Sequence, residues 1–328
     1  MKAAWYERNG PADEILIVGD LPDPTPGPGE VVIRLKTSGV NPSDVKSRAG
    51  GRAKITLARQ IPHSDGAGEI VAVGAGVAAS RVGERVWTFN AAYGRWNGTA
   101  AELCAVPAEF AVPLPAGLDD AAGACLGIPA MTAHRCLFAD GSPSGQTVLV
   151  SGAAGVVGHY AVQLARWAGA EVIASVSDEA KAAQARAAGA NHVVNYRSGD
   201  VAAQVMAVTG GKGVDRIVEV ELGENLAADL AVLKPEGVLA YYGSKTPTAP
   251  LPFFASIVKN VVLRPVLVYT ITPAQRRDCF RDIARWVADS GPAGALFNVA
   301  ARFPLAKVAD AHKHVEAGTK VGHVIVDL

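Results

Sequence analysis

The sequence predicts an α/β protein of two domains, one β-rich and one built on a doubly wound parallel sheet. Three observations carry that expectation. The chain has 328 residues, more than one average domain and enough for two separate cores. Its first 125 or so residues hold short β-branched runs broken by Gly and Pro, the texture of an antiparallel, partly closed sheet. From about residue 145 the rhythm becomes strand, helix, strand, helix, which implies parallel strands with helices on both faces.

In the first part the strand candidates are "EVVIRL" (30–35), "GEIVAVG" (68–74), "GERVWTF" (83–89) and "AELCAVPAEFAVPL" (101–114). The stretch "DLPDPTPGPGE" (20–30) is a connector, because its prolines cannot donate to a ladder. In the second part the strands are "TVLVSG" (147–152), "EVIASV" (171–176), "HVVNY" (192–196), "DRIVEV" (215–220) and "GVLAYYGS" (237–244). Between the first two lies "HYAVQLARWAG" (159–169), where Ala161, Leu164, Ala165 and Ala168 share a helix face and Gly169 supplies the stop. The final segment, 303–328, reads as a helix and a closing strand that returns to the first domain.

Composition narrows the function. Apolar residues make up 49% and charged residues 19%, the balance of a folded globular enzyme rather than a disordered chain. Lys+Arg and Asp+Glu both number 31, and no basic run tracks a nucleic-acid backbone, which argues against a primary nucleic-acid role. No apolar run approaches the roughly 20 residues of a membrane helix, and no signal-peptide pattern is seen, so a cytoplasmic location is expected. Cys104, Cys125, Cys136 and Cys279 are scattered, with no C-x-x-C, and are expected to be buried packing residues.

The chemistry-bearing stretch is "VLVSGAAGVVGHYAVQLA" (148–165), a strand running into a Gly/Ala turn with a helix opening at about Gly155. Its glycines fall as Gly152-x-x-Gly155-x-x-Gly158, off the G-x-G-x-x-G pattern. Amides at a helix N-terminus point outward and the helix dipole adds partial positive charge, so a pyrophosphate can settle there if the flanking residues are small. Ala153, Ala154 and Gly155 meet that condition, and Gly158 permits close helix–strand packing. Val156 is acceptable only if already helical, since a β-branched residue tolerates positive φ poorly. A tight turn kept small for packing alone is the competing reading.

Almost the whole chain resembles the zinc-independent quinone oxidoreductases of the medium-chain dehydrogenase/reductase superfamily, nearest the zeta-crystallin type. The matching stretches are "GVNPSDVKSRAG" (39–50), "HSDGAGEIVAVGAGV" (63–77), "GERVW" (83–87), "LGIPAMTAHRCL" (126–137), the phosphate loop, "AAGANHVVNYR" (187–197), "NLAADLAVLKPEGVLAYYGS" (225–244) and "FPLAKVADAH" (303–312). Their order and spacing carry the resemblance; no single stretch is specific. It implies a GroES-like, β-rich substrate domain of residues 1–125 completed by 295–328, and an inserted Rossmann domain of residues 126–294, with NADPH in the cleft between them.

Zinc-dependent members of the superfamily place a Cys and a His where this sequence has Asn41 and Ser64, and the four-Cys lobe is reduced to Cys104. His63, one position off, reads as a loop histidine without special role. No set of three or four thiolate, imidazole or carboxylate ligands emerges, so no metal site is expected. Reducing a plain ketone calls for a Lewis acid or strong proton donor, whereas a quinone or enone spreads the incoming charge over its own π-system. The expected acceptor is therefore conjugated.

The resemblance also assigns candidate residues. Ala154, Gly155, Val156 and Val157 form the pyrophosphate turn, and Ser177, Lys181 and Tyr196 surround a 2′-phosphate, which needs a cation and hydroxyl donors, with a solvated helix charge the competing role for Lys181. The strand-end position where NAD enzymes carry an acid is Val176. Asp178 reads as a helix-start charge, although an acid so close keeps NADH open. Thr132, Tyr242, Gly243, Ser244, Leu263 and Arg264 match positions near the nicotinamide, with a surface ion pair the competing role for Arg264. Asn41 is the candidate to hydrogen-bond the substrate oxygen or a bridging water, and its competing role is to shape the Asn-Pro turn. Lys46 replaces the Tyr many relatives carry; it either donates to a developing oxyanion or projects into solvent.

The leading expectation is an NADPH-dependent, zinc-independent reductase transferring hydride to a quinone. The alternatives are an enone or alkenal double-bond reductase and, from another class, a non-catalytic NADPH-binding crystallin-like or RNA-binding protein. "NVVLRPVLV" (260–268) has a strand pattern where relatives extend the sheet across a two-fold, so a homodimer is expected and a tetramer left open.

Overall fold

The computed structural model describes residues 1–51, 54–291, 297–318 and 321–328. The chain divides into two compact units, Met1–Pro129 with Phe297–Leu328 and Ala130–Leu296. The boundary expected between residues 294 and 295 lies outside the described residues.

The first unit runs β1 (Lys2–Trp5), α1 (Ala12–Ile15), β2 (Ile17–Asp20), β3 (Glu30–Val40), α2 (Pro42–Ala49), β4 (Asp65–Val73), β5 (Arg85–Thr88), β6 (Leu103–Pro107), β7 (Ala111–Pro113) and α3 (Asp120–Cys125). After the second unit the chain returns to the first, and with the seven α-helices and six strands among the second unit's described residues counted in chain order the returning elements are β14 (Val299–Pro304), α11 (Val308–Glu316) and β15 (His323–Asp327). The long strand β3 is the hub: it pairs antiparallel with β4, β6 and β15. The pairing of Val324 with Val40 through Asp327 with Thr37 fastens the C-terminal segment to the N-terminal one. Within the returning C-terminal segment, β14 and β15 run parallel. Val31, Ile33 and Leu35 of β3 are buried in one cluster with Ile70, Val86 and Val106, while Val32 and the run Thr37–Val40 are buried too, so only Arg34 and Lys36 of this strand are exposed. α2 starts with Pro42 after Asn41 and ends at Gly50, whose φ of 85° is the left-handed cap that stops a helix.

The second unit is α4 (Met131–Phe138), β8 (Thr147–Val150), α5 (Val156–Trp167), β9 (Glu171–Val176), α6 (Glu179–Ala187), β10 (His192–Asn195), α7 (Val201–Val208), β11 (Val214–Glu219), α8 (Leu222–Val232), β12 (Leu233–Tyr241), α9 (Phe253–Ile257), β13 (Val262–Pro265) and α10 (Pro273–Ser290). Its parallel sheet has the order β10-β9-β8-β11-β12-β13, the doubly wound order of a Rossmann unit. The strand order reverses between β8 and β11, so ligands of such a sheet are held beyond the carboxyl ends of these strands. α5 is buried on more than the expected face: every residue from Gly158 to Ala165 is buried, while Ala168 is only half-buried. The cause is α10, whose Trp286 packs edge-on against Tyr160 with ring centroids 5.8 Å apart, covering the side that would otherwise meet water.

Candidate functional site

In the second unit β8 delivers the chain into the small-residue turn at the switch point. Gly152 has φ 61°, a left-handed conformation open to glycine and costly for a β-branched residue. Gly155 has extended backbone at the N-cap of α5 and gives no side-chain cap, so the outward amides of the first turn stay available to an anion. Val156 is the first helical residue, and its β-branch meets no positive φ. Gly158 is required for packing: a Cβ there would sit 2.3 Å from the Gly152 carbonyl oxygen and 2.8 Å from Ala153 Cα. A shallow turn of Ala153, Ala154 and Gly155 under an uncapped helix end fits a pyrophosphate.

At the carboxyl end of β9, Lys181 Nζ donates to Ser177 Oγ at 2.7 Å, and Ser177 Oγ donates to Asp178 Oδ2 at 2.8 Å. Asp178 is the N-cap of α6 rather than a member of its first turn: its Oδ1 accepts from the Lys181 N–H at 3.0 Å. That backbone bond, then the Ser177 hydroxyl, hold its carboxyl below the usual carboxylate range. Tyr196 follows β10, and its N–H donates to the Val176 carbonyl at 3.0 Å, which brings it to the same sheet edge. Its ring is exposed.

At the ends of β11 and β12, Tyr242, Gly243 and Ser244 border a cavity of about 730 Å³ together with Arg264. Burial, with Cys136 and Glu219 nearby, pushes the Tyr242 phenol well above its ordinary value. Arg264 takes the ion-pair role, its guanidinium held by Asp140. Leu263 packs against the sheet core, and Thr132 is buried on α4. Sequence reasoning missed the carboxyl pair beneath this edge. Glu219 closes β11 fully buried, accepts from the Glu221 N–H and from Asn225 Nδ2 at 3.1 Å, and faces Asp229 of α8. Burial, then the charge of Glu219, push Asp229 up to about 9, and burial raises Glu219 as well. One proton shared between them is the arrangement that burial favours. The signal was a charged residue inside the apolar run "DRIVEV".

In the first unit Asn41 combines its turn role with a contact. It precedes α2, its N–H donates to Asp44 Oδ2 at 2.8 Å, and its Nδ2 donates to Asp65 Oδ2 at 2.6 Å. Asp65 also accepts the Ile128 N–H at 3.0 Å. Burial, reinforced by Asp44, pushes its carboxyl well above the usual range against these two hydrogen bonds. Lys46 is exposed on α2.

His63 is not the idle loop residue expected. It is fully buried at φ 74°, with Nδ1 2.8 Å from Ser38 Oγ and Nε2 2.9 Å from Nε2 of His312. The Thr99 hydroxyl donates to the Asp65 carbonyl at 2.6 Å, so the Ser38 hydroxyl must donate to Thr99 across 2.7 Å. Ser38 then accepts from Nδ1–H of His63, whose bare Nε2 accepts from His312. Both rings are neutral; burial lowers His63 to about 3 and His312 well below its ordinary value.

These positions do not fit a zinc ion. Two Zn–N bonds of about 2.0–2.1 Å at a tetrahedral angle would set the imidazole nitrogens about 3.3 Å apart, whereas the facing Nε2 atoms of His63 and His312 are 2.9 Å apart with a proton between them, and the Asn41 amide is committed to Asp65. Cys104 is buried with Sγ 3.5 Å from the Asn97 carbonyl oxygen. Among the described residues no group of three or more His, Cys, Asp or Glu side chains is placed to hold a metal.

Comparison with known proteins names the family. The family described as alcohol dehydrogenase GroES-like domain matches residues 27–116, and the family described as zinc-binding dehydrogenase matches residues 156–289. A 2-haloacrylate reductase of Burkholderia sp is 32% identical across 99% of this chain and 98% of its own, and a quinone oxidoreductase of Rattus norvegicus is 30% identical across 98% and 95%. The chain belongs to the quinone oxidoreductases of the medium-chain dehydrogenase/reductase superfamily. Among solved structures, a mycobacterial protein complexed with NADPH superimposes on this chain with a TM-score of 0.87 at 29% identity, covering 100% of both chains. A 2-haloacrylate reductase superimposes with a TM-score of 0.84 at 30% identity, covering 100% of this chain and 99% of its own. The chain is an oxidoreductase of that family, with a GroES-like unit and a Rossmann unit. No described helix is long and apolar enough to cross a membrane.

Proposed function

We propose that the protein is an NADPH-dependent reductase delivering hydride to a quinone. The observation that carries the cofactor choice is the hydroxyl–ammonium pair at the end of β9, Ser177 with Lys181 at 2.7 Å. A 2′-phosphate needs a cation and a hydroxyl donor, and these stand just beyond Val176, the strand-end position where an NAD enzyme carries an acid. The relative solved with NADPH supports the same choice.

Bound NADPH supplies a hydride from its nicotinamide ring. The chain's residues do the rest. Amides of the α5 N-terminus, with Ala154, Gly155, Val156 and Val157, hold the pyrophosphate, and Lys181, Ser177 and Tyr196 hold the 2′-phosphate. Thr132, Tyr242, Gly243, Ser244, Leu263 and Arg264 flank the nicotinamide end. Asn41, oriented by Asp65, is the donor for the acceptor oxygen through its remaining amide proton, with Lys46, exposed on the helix that Asn41 caps, as a further donor. A homodimer is part of this reading: β13 is an edge strand, and Phe253, Phe254, Ile257 and Val258 beside it are exposed apolar residues that a second copy would cover. Sedimentation at micromolar concentration tests that point.

Reduction of a conjugated C=C bond is the second reading, favoured by the 2-haloacrylate reductase among the relatives. NADPH oxidation followed at 340 nm with an ortho-quinone, an α,β-unsaturated aldehyde and a 2-haloacrylate separates the two. Faster turnover of the quinone supports the first, and turnover of only the alkenes overturns it. NADPH binding without turnover of any acceptor would leave a non-catalytic cofactor-binding protein.

A further inference from the structure

The cavity of about 730 Å³ in the second unit carries a charge that nothing in it neutralises. Arg135 of α4 and Arg264 line it, and no Asp or Glu is among its lining residues. Arg264 is spoken for by Asp140. Arg135 is only 9% exposed, and among the described residues its side chain makes neither a hydrogen bond nor an ion pair. Guanidinium groups stay protonated in proteins, so burial cannot relieve this charge by removing a proton. A buried unpaired cation destabilises the fold unless something completes it.

A second donor faces the same space. Gln275 spends its Oε1 on the Thr272 N–H at 2.9 Å, which fixes the amide orientation and leaves its Nε2 protons unused by that bond. The remaining walls are apolar or hydroxylic, among them Ala139, Leu222 and Ile271. We propose that this cavity binds a small monocarboxylate, received by the planar fork of Arg135 with Gln275 Nε2 as the additional donor. One unpaired guanidinium matches one negative charge in a bidentate pair; a phosphate dianion would ask for more cations than the cavity offers. The dinucleotide's pyrophosphate has its own site at α5. The cavity also borders Tyr242, Gly243 and Ser244, so its place beside the cofactor rests on the reductase reading, while the carboxylate site rests on Arg135 and Gln275.

The test compares propionate with propionamide, two probes of one shape that differ in charge, by ligand-observed NMR titration of the full chain without cofactor. The wild type binds propionate at least about tenfold more tightly, Arg135→Met abolishes that preference and Arg135→Lys keeps part of it. NADPH affinity, followed by fluorescence, moves far less than propionate affinity in Arg135→Met. Equal binding of the two probes by the wild type, which needs no variant to fold, overturns the proposal. So does a preference that survives in Arg135→Met, or an equal loss of NADPH and propionate, which would assign the guanidinium to the dinucleotide. A wild type that binds propionate selectively but not NADPH would sink the reductase reading and leave this site standing.

Discussion

Lys181 is pulled between two partners. Its ammonium is 2.7 Å from Ser177 Oγ and 3.4 Å from Asp178 Oδ2, and the Asp178 carboxyl stays ionised because the Lys181 N–H and the Ser177 hydroxyl bond to it. An incoming 2′-phosphate must win the cation from Asp178. Lys181→Ala is therefore expected to weaken NADPH at least about tenfold, or 1.4 kcal/mol, and NADH by much less, while Asp178→Asn strengthens NADPH. Equal losses for both dinucleotides in Lys181→Ala would refute the assignment. The family resemblance named Ser177 and Lys181 in the sequence, and their contact is a local one, four residues apart on one strand–helix junction. The His63–His312 contact spans 249 positions and was silent. Arg135 was silent for another reason: one cation on a helix reads as solvated until the cavity around it is seen.

At the scale of elements, the strands of the Rossmann unit were readable because parallel strands buried on both faces must be continuous β-branched runs. The all-round burial of α5 was not, because it depends on α10, more than a hundred residues later in the chain. The turn between β8 and α5 allows a sharp comparison. A Cβ at Gly158 would lie 2.3 Å from the Gly152 carbonyl oxygen, among backbone atoms that cannot yield without moving the strand–helix junction. At Gly155 the nearest such atom is 3.2 Å away and φ is −72°, so a small side chain needs only a slight shift. Gly158→Ala should destabilise the protein by about 2 kcal/mol or more, within the range for overpacked sites, and Gly155→Ala by well under half of that. Urea unfolding of the two variants checks the order. Similar midpoints would mean that the close approach at Gly158 is not what holds this turn.

Across the whole molecule, each unit buries titratable groups whose effects on stability have opposite slopes with pH. In the first unit His63 is lowered to about 3 and His312 lies well below its ordinary value, both through burial. The unfolded chain takes up these protons below about 6.5, while the folded chain does not until about 3 at His63. Stability from these rings is thus full above 6.5 and lost as pH falls, at up to about 1.4 kcal/mol per pH unit for each ring. In the second unit Asp229 is raised to about 9, so the folded state keeps a proton that the unfolded chain gives up near 4. Its contribution is full below about 4 and lost as pH rises to 9; the raised carboxyl of Asp65 in the first unit acts in the same sense. The two slopes place the stability maximum in the mildly acidic to neutral range. His312→Asn keeps a donor for His63 Nε2 but cannot titrate, so it should cost stability at pH 7 and flatten the loss between 6.5 and 4. Asp229→Asn replaces the shared proton by an amide N–H toward Glu219, and should raise stability at pH 9 while flattening the loss above pH 5. Urea midpoints measured from pH 4 to 9 decide it: profiles for both variants parallel to the wild type would show that neither buried pair governs the pH dependence of the fold.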